Sequence, residues 1–173
     1  MTPPDERSAL VVDDHPLVAR GIADYLRAHC AFSRADPIFR PAELWENIGQ
    51  FGAPALALVD FWLPGGTALP ILTRLRDEYP ATRLLVISGD GDPAVRDKVR
   101  RLSVDGFLLK HAEPAVFALA VAAVLRGDAW FDDAPVAGPA ADEERTLPLS
   151  AAELGLTPRQ GEVLALMLKG LPN

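Results

Sequence analysis

The chain of 173 residues has almost no cysteine and no long apolar segment. Its single cysteine, Cys30, excludes an internal disulfide framework and a zinc site built from several cysteines. No apolar run approaches the ~18 residues that a membrane-spanning helix needs. The N-terminal residues lack the apolar core of a signal peptide. We therefore expect a cytoplasmic protein that makes no contact with membranes.

Positive charge is also scarce, because 17 Lys and Arg residues stand against 24 Asp and Glu residues, which gives a formal net charge of −7. This balance argues against broad nonspecific binding to nucleic acid. The apolar fraction of 49% and the charged fraction of 24% are those of a globular protein. The length suits one domain with a proper core and an appendage.

Apolar segments that favour strands alternate with segments of helical periodicity. Strands are predicted at residues 8–13, 32–39, 55–60, 83–88 and 105–110. Helices are predicted to begin near residues 16, 41, 67, 93 and 113, the third of them capped by Thr67. Such alternation with short connections predicts an α/β fold with a five-stranded, parallel, doubly wound sheet.

The composition changes after the fifth helix. Residues 132–148 are rich in proline and alanine and include an acidic run, as is typical of a linker. Thr157 and Pro158 then have the pattern of a new helix start. We predict a first domain over residues 1–128, a linker over residues 129–149 and a helical tail over residues 150–173.

Polar residues close the predicted strands. Asp13 and Asp14 end the first strand, Asp60 the third, Ser88 the fourth and Lys110 the fifth. Sites in open parallel sheets form beyond the carboxyl ends of the strands, so these side chains should converge. Each of them alone would usually be a turn residue, a cap or a solvated charge. Because all five lie at the ends of predicted strands, together they predict a functional site at the carboxyl edge of the sheet.

The chemistry of these residue types suits phosphoryl transfer. Carboxylates placed together repel, and a hard cation such as Mg²⁺ relieves that repulsion. Lys110 offers a compact positive charge for one phosphoryl oxygen, and the Ser88 hydroxyl can donate to another. A carboxylate can accept a phosphoryl group covalently. We therefore predict an aspartate nucleophile with a metal ion and a polar clamp.

Four segments, residues 11–16, 59–65, 86–89 and 106–111, together resemble a response-regulator receiver domain. The resemblance covers about residues 8–127. It implies a flavodoxin-like sheet with strand order 2-1-3-4-5. It also implies that Asp60 is the phosphoacceptor, that Asp14 and Asp60 bind Mg²⁺ directly, and that Asp13 does so through water. The backbone carbonyl of Trp62 should be a further metal ligand.

The resemblance also assigns roles to residues of the last two strands. Ser88 and Lys110 should contact the phosphoryl group. Phe107 should be the aromatic residue whose rotamer changes with phosphorylation, although a plain core aromatic residue would also fit this position. The glycine pair at residues 65–66 departs from the commoner loop after the acceptor.

Residues 156–173 resemble the opening of a LuxR-type helix-turn-helix domain. With the segment at residues 11–16, this places the chain in the NarL/FixJ subfamily of transcription factors. Gly161 and Pro172 depart from the commonest residues of that opening, and an ordinary amphipathic helix is the alternative. The recognition helix should follow Asn173. We therefore expect DNA binding only from the full-length protein, and not from this truncated chain by itself.

The implied function is that of a two-component response regulator. A sensor histidine kinase would phosphorylate Asp60, and the resulting conformational switch would favour a homodimer and control transcription. Such a chain is a switch rather than an enzyme, with Mg²⁺-dependent self-phosphorylation from small donors and self-dephosphorylation expected.

Two alternatives remain open. One is a pseudo-receiver, which is an interaction module without phosphorylation. The other is a haloacid-dehalogenase-type, Mg²⁺-dependent aspartyl phosphatase, which needs its second acid two residues after the first. Here Asp13 and Asp14 are adjacent and residue 15 is histidine.

Overall fold

Strands and helices alternate along residues 7–131, the part of the chain that the computed structural model describes. The strands are β1 (Ser8–Val12), β2 (Arg34–Ile38), β3 (Leu56–Asp60), β4 (Trp62–Leu63), β5 (Gly66–Thr67), β6 (Arg83–Ser88), β7 (Gly106–Leu109) and β8 (Trp130–Phe131). The helices are α1 (Pro16–His29), α2 (Pro41–Phe51), α3 (Leu69–Glu78), α4 (Pro93–Arg100) and α5 (Pro114–Arg126). The predicted α/β class is confirmed.

The main sheet is parallel and has the order β2-β1-β3-β6-β7-β8. Its first five members reproduce the predicted order 2-1-3-4-5. The prediction of five strands is wrong by one, because β8 adds an edge strand from residues that were predicted to lie in the linker. The Trp130 amide donates to the Asp105 carbonyl at 2.9 Å and pairs Trp130 with Gly106. A strand of two residues has no periodicity that a sequence could reveal.

Two cores cover the two faces of the sheet, as a doubly wound fold requires. Leu56 and Leu58 of β3 join the core that lies under α1 and α5. Ala57 and Val59, one residue later in each case, join the core under α2, α3 and α4. All five residues of β3 are buried, and the four before Asp60 form a continuous apolar run, as expected for a central strand covered on both faces.

Proline stands in the first turn of each of the five helices, where the missing N–H costs little. The Asp92 carboxylate caps α4 by accepting a hydrogen bond from the Ala94 amide at 2.8 Å. Gly127 ends α5 at a φ of 96°, a left-handed conformation that favours glycine. Within residues 7–131, the structure contains no helix that combines the length and the hydropathy of a membrane span.

A short antiparallel hairpin follows the third strand. Trp62 pairs with Thr67, and Leu63 pairs with Gly66. Pro64 and Gly65 form the tip, and the φ of 91° at Gly65 suits the third position of a type II turn. Thr67 therefore belongs to β5, and the prediction that it caps α3 is wrong, since Ala68 holds the cap position.

Residues 1–6 and 132–173 lie outside the described part of the chain. The sheet extends to Phe131, three residues past the predicted end of the first domain. The rest of the predicted linker and the helical tail at residues 150–173 stay predictions.

Gly106 should be difficult to replace, because a Cβ atom there would lie 2.8 Å from the Trp130 carbonyl oxygen and 2.9 Å from Leu85 Cδ1. We expect Gly106→Ala to lower the free energy of unfolding by about 1–3 kcal/mol in urea titrations. Gly49→Ala in α2 is the matched control, since its Cβ would meet nothing within 4 Å. Equal stability of the Gly106→Ala chain and the parent would contradict the close approach of β8.

Cys30 should react slowly in the folded chain. Burial raises the pKa of its thiol to about 12, and the thiolate is the reactive form. Near neutral pH the thiol therefore stays protonated. We expect iodoacetamide to alkylate Cys30 much more slowly in buffer than in urea, measured by mass spectrometry. Equal rates in the two conditions would show that the thiol is not shielded.

Candidate functional site

Four of the predicted site residues lie together at the carboxyl edge of the sheet. Asp13 follows β1, Asp60 ends β3, Ser88 ends β6 and Lys110 follows β7. Their exposed fractions are 0%, 3%, 0% and 8%. Polar groups are rarely buried to this degree unless they are paired. The parallel register places them together, as the sequence predicts.

The Lys110 ammonium joins the two buried carboxylates. Its Nζ lies 2.7 Å from Asp13 Oδ2 and 2.6 Å from Asp60 Oδ2. The backbone of the same residue is fixed by a hydrogen bond of 2.8 Å from the Lys110 amide to the Ser88 carbonyl. One positive charge therefore neutralises only one of two carboxylates, and the buried cluster keeps an excess negative charge.

Burial and charge act in opposite directions on these pKa values. Burial raises the pKa of Asp60, and the negative charge of Asp13 adds to this effect, while the hydrogen bond and charge of Lys110 only partly offset it. Burial lowers the pKa of Lys110, but its hydrogen bonds with Asp13 and Asp60 outweigh that loss, so its pKa is raised. Lys110 therefore stays positively charged at this site.

His15 lies against both N-terminal acids, a contact that the sequence analysis missed. Its Nδ1 lies 3.1 Å from Asp13 Oδ1 and 3.1 Å from Asp14 Oδ1. The His15 amide also donates to Asp13 Oδ1 at 2.9 Å. His15 takes the cap position of α1 directly before Pro16, and no residue pattern in the sequence shows where its ring lies.

The donor set suits a hard divalent cation. One ligand atom from each of Asp13, Asp14, His15 and Asp60 lies within 4.8 Å of the others. Asp14 Oδ1 is buried, and among the described residues it accepts no hydrogen bond of good geometry, although His15 Nδ1 is near. A buried carboxylate oxygen without a donor is a favourable ligand for Mg²⁺, which prefers oxygen atoms. The residues present therefore fit the predicted metal.

Trp62 and Ser88 border this cluster. The Trp62 amide donates to Asp60 Oδ1 at 3.3 Å, and its indole ring is about half exposed beside the buried ring of Phe61. The Ser88 hydroxyl oxygen accepts a hydrogen bond of 3.0 Å from the Asp90 amide. Metal binding by the Trp62 carbonyl and phosphoryl binding by Ser88 stay predictions.

Phe107 lies in β7, three residues before Lys110, and is completely buried. The guanidinium carbon of Arg96 in α4 lies 5.8 Å from the centroid of its ring. Phe107 is therefore a core aromatic residue in contact with α4. Its role as a switch residue stays a prediction.

The family of the chain follows from comparison with known proteins. Residues 9–122 match the model of the response regulator receiver domain, and the chain belongs to this family. Receiver domains are phosphoacceptor switches that work with histidine kinases, and they typically bind Mg²⁺ at an acidic pocket. The resemblance found in the sequence is confirmed.

The relatives are LuxR-family response regulators. The chain is 32% identical to the transcriptional activator protein ExaE of Pseudomonas putida, over 95% of this chain and 77% of that protein. It is 26% identical to the nitrate/nitrite response regulator protein NarL of Escherichia coli, over 100% of this chain and 80% of that protein. A LuxR family DNA-binding response regulator from Silicibacter pomeroyi has a similar structure, with a TM-score of 0.60 and 28% identity over 72% of this chain and 95% of that one.

Lys110→Ala should destabilise the fold most when divalent metal is absent. The substitution leaves Asp13 and Asp60 buried without their shared cation, which typically costs about 3–5 kcal/mol. We expect a loss of this size in urea titrations with EDTA, and a partial recovery with Mg²⁺. The exposed residue Lys98 supplies the control, because Lys98→Ala should change stability by about 0.5 kcal/mol or less. Parental stability of the Lys110→Ala chain in EDTA would contradict the charge balance described above.

Proposed function

We propose that Asp60 accepts a phosphoryl group from a sensor histidine kinase and that this event switches the protein to control transcription. The observation that carries the proposal is the placement of the Asp60 carboxylate. It lies at the end of the central strand, 3% exposed, bound to Lys110 Nζ at 2.6 Å and beside the carboxylates of Asp13 and Asp14. A carboxylate held in this way has both a cation for charge neutralisation and a fixed direction of attack.

The transfer begins when a carboxylate oxygen of Asp60 attacks the phosphorus atom of a phosphohistidine. A P–O bond to Asp60 forms while the P–N bond breaks, and the ring nitrogen keeps the electron pair and takes a proton from water. With acetyl phosphate as donor, a P–O bond breaks instead and acetate leaves. The product is an acyl phosphate whose phosphoryl group carries roughly −1.5 to −2 charges by analogy with other phosphorylated side chains, in place of the single negative charge of the carboxylate.

Asp14 and Asp60 would hold Mg²⁺ directly, Asp13 would hold it through water, and the Trp62 carbonyl would complete the protein ligands. When bound, the ion neutralises charge on the phosphoryl oxygens. Asp14 supports this assignment with an oxygen that is buried and accepts no hydrogen bond from the described residues.

Lys110 and Ser88 would bind the phosphoryl oxygens. Lys110 already lies on the Asp60 oxygen that faces it, so a small movement brings its ammonium to the new anion while its contact with Asp13 persists. Ser88 would turn its hydroxyl proton toward a second oxygen, and Phe107 would change its rotamer as β6 and α4 adjust. The phosphoryl group thereby shifts an equilibrium between two conformations.

The output is regulation of transcription. The relatives include a protein named as a transcriptional activator and another named as a response regulator, and they cover the chain almost completely. We propose that phosphorylation favours a homodimer and that the segment beginning at residue 150 starts a LuxR-type DNA-binding domain. DNA recognition would then belong to a complete domain of that type, with the cytoplasm as the expected compartment.

Asp60→Asn should abolish phosphorylation by acetyl phosphate in the presence of Mg²⁺, because an amide oxygen cannot form a stable acyl phosphate. Incorporation of labelled phosphate gives the measurement. Asp77→Asn removes an exposed carboxylate from α3 and should leave the rate at the parental value.

Two results would count against the assignment. Labelling of the Asp60→Asn chain at the parental rate would place the acceptor elsewhere. Failure of the parent chain to incorporate phosphate or to respond to beryllofluoride, with Mg²⁺ present, would favour the pseudo-receiver alternative.

A further inference from the structure

The outer face of α4 is basic, although the chain as a whole is acidic. Lys98, Arg100 and the adjoining Arg101 are exposed, and Asp97 is the one acid among residues 96–101. The opposite face of the helix, with Val95 and Val99, is buried against the sheet. The basic residues therefore form a surface on the outside of the fold, which we name the α4 face and define as Lys98, Arg100 and Arg101 with the neighbouring Arg96 and Asp97.

Strand β8 brings the chain to this surface. The guanidinium carbon of Arg100 lies 4.5 Å from the centroid of the Phe131 ring. One turn earlier, Arg96 lies over Phe107, which is the register partner of Phe131 in the sheet. Because Phe131 is the last residue that the structure describes, the segment that follows begins next to the α4 face.

That following segment has the opposite charge. Residues 132–144 contain five acids and no basic residue, namely Asp132, Asp133, Asp142, Glu143 and Glu144. At ~3.3 Å per extended residue these residues can reach about 40 Å, several times the ~12 Å length of α4. The acidic segment is therefore long enough to contact the α4 face at any point along the helix.

We propose that the acidic segment, residues 132–144, docks on the α4 face of its own chain. Single exposed ion pairs contribute little, but several along one surface add together. The anchor at Phe131 makes the contact intramolecular, which raises the effective concentration of the acids. The contact is electrostatic and exposed, so salt weakens it.

The docked segment joins two parts of the molecule. Helix α4 begins directly after the turn in which the Asp90 amide binds the Ser88 hydroxyl, and Asp92 of that turn caps the helix. The acidic segment connects in the other direction to residues 150–173. Docking thus links the helix beside the candidate site to the chain that leads away from the receiver, whether or not Asp60 is phosphorylated.

Paramagnetic relaxation enhancement on the full chain tests this proposal. A nitroxide is attached to Ala140→Cys in a Cys30→Ala background, since Cys30 is the single native cysteine. At about 0.01 M salt, where the Debye length is about 30 Å, we expect loss of amide signals from α4 and β8 but not from α1, on the opposite face of the sheet. At about 1 M salt the α4 signals should return.

Matched charge reversals decide whether the basic residues of the α4 face cause the loss of these signals. Arg101→Glu should restore the α4 signals, whereas Arg20→Glu, an equal change of charge on exposed α1, should not. The proposal is overturned if α4 keeps its signals at low salt or if both reversals act alike. A mixture of nitroxide-labelled chains and unlabelled, isotope-enriched chains gives a further test. The proposal is also overturned if the α4 signals are lost only in this mixture, since the acidic segment then docks on a second chain.

Discussion

The pairing of one ammonium group with two buried carboxylates is the interaction on which the rest of the site depends. Lys110 Nζ lies within 2.7 Å of oxygens from both Asp13 and Asp60, in a region where all three side chains are at least nine-tenths buried. Charges removed from water are tolerated only when they are paired and hydrogen-bonded. With Asp14 included, the cluster holds more negative than positive charge. Such an imbalance favours a divalent cation beside these carboxylates.

The sheet holds these charges in place. Successive parallel strands end at one level, and hydrogen bonds from the Phe61 amide to Ile87 and from the Lys110 amide to Ser88 tie those ends to each other. Apolar side chains of residues 7–131 close both faces of the sheet, and the cluster lies at its carboxyl edge. Rigid strands position the reacting groups, while the less buried Asp14, His15 and Trp62 surround the opening. The fold thus separates the buried groups of Asp13, Asp60 and Lys110 from more exposed neighbours.

Much of this arrangement could be predicted from the sequence because it follows from local patterns. Apolar runs located the central strands, and polar residues at their ends located Asp13, Asp60, Ser88 and Lys110. The features that escaped prediction depend on close backbone approach or on local turn and cap geometry. Strand β8 has two residues, and it exists because Gly106 lets the Trp130 backbone approach. Thr67 pairs with Trp62 instead of capping α3, because the turn at Pro64 and Gly65 closes a hairpin first. The contacts of His15 depend on the geometry of the α1 cap.

The central claim is that phosphorylation occurs on Asp60 and on no other acid of the cluster. Reduction with borohydride tests it directly, because an aspartyl phosphate is converted to homoserine while an unmodified aspartate is not. The chain would be treated with acetyl phosphate and Mg²⁺, reduced, digested and sequenced by mass spectrometry. We expect homoserine at position 60 alone. Homoserine at position 13 or 14, with Asp60 unchanged, would contradict the account.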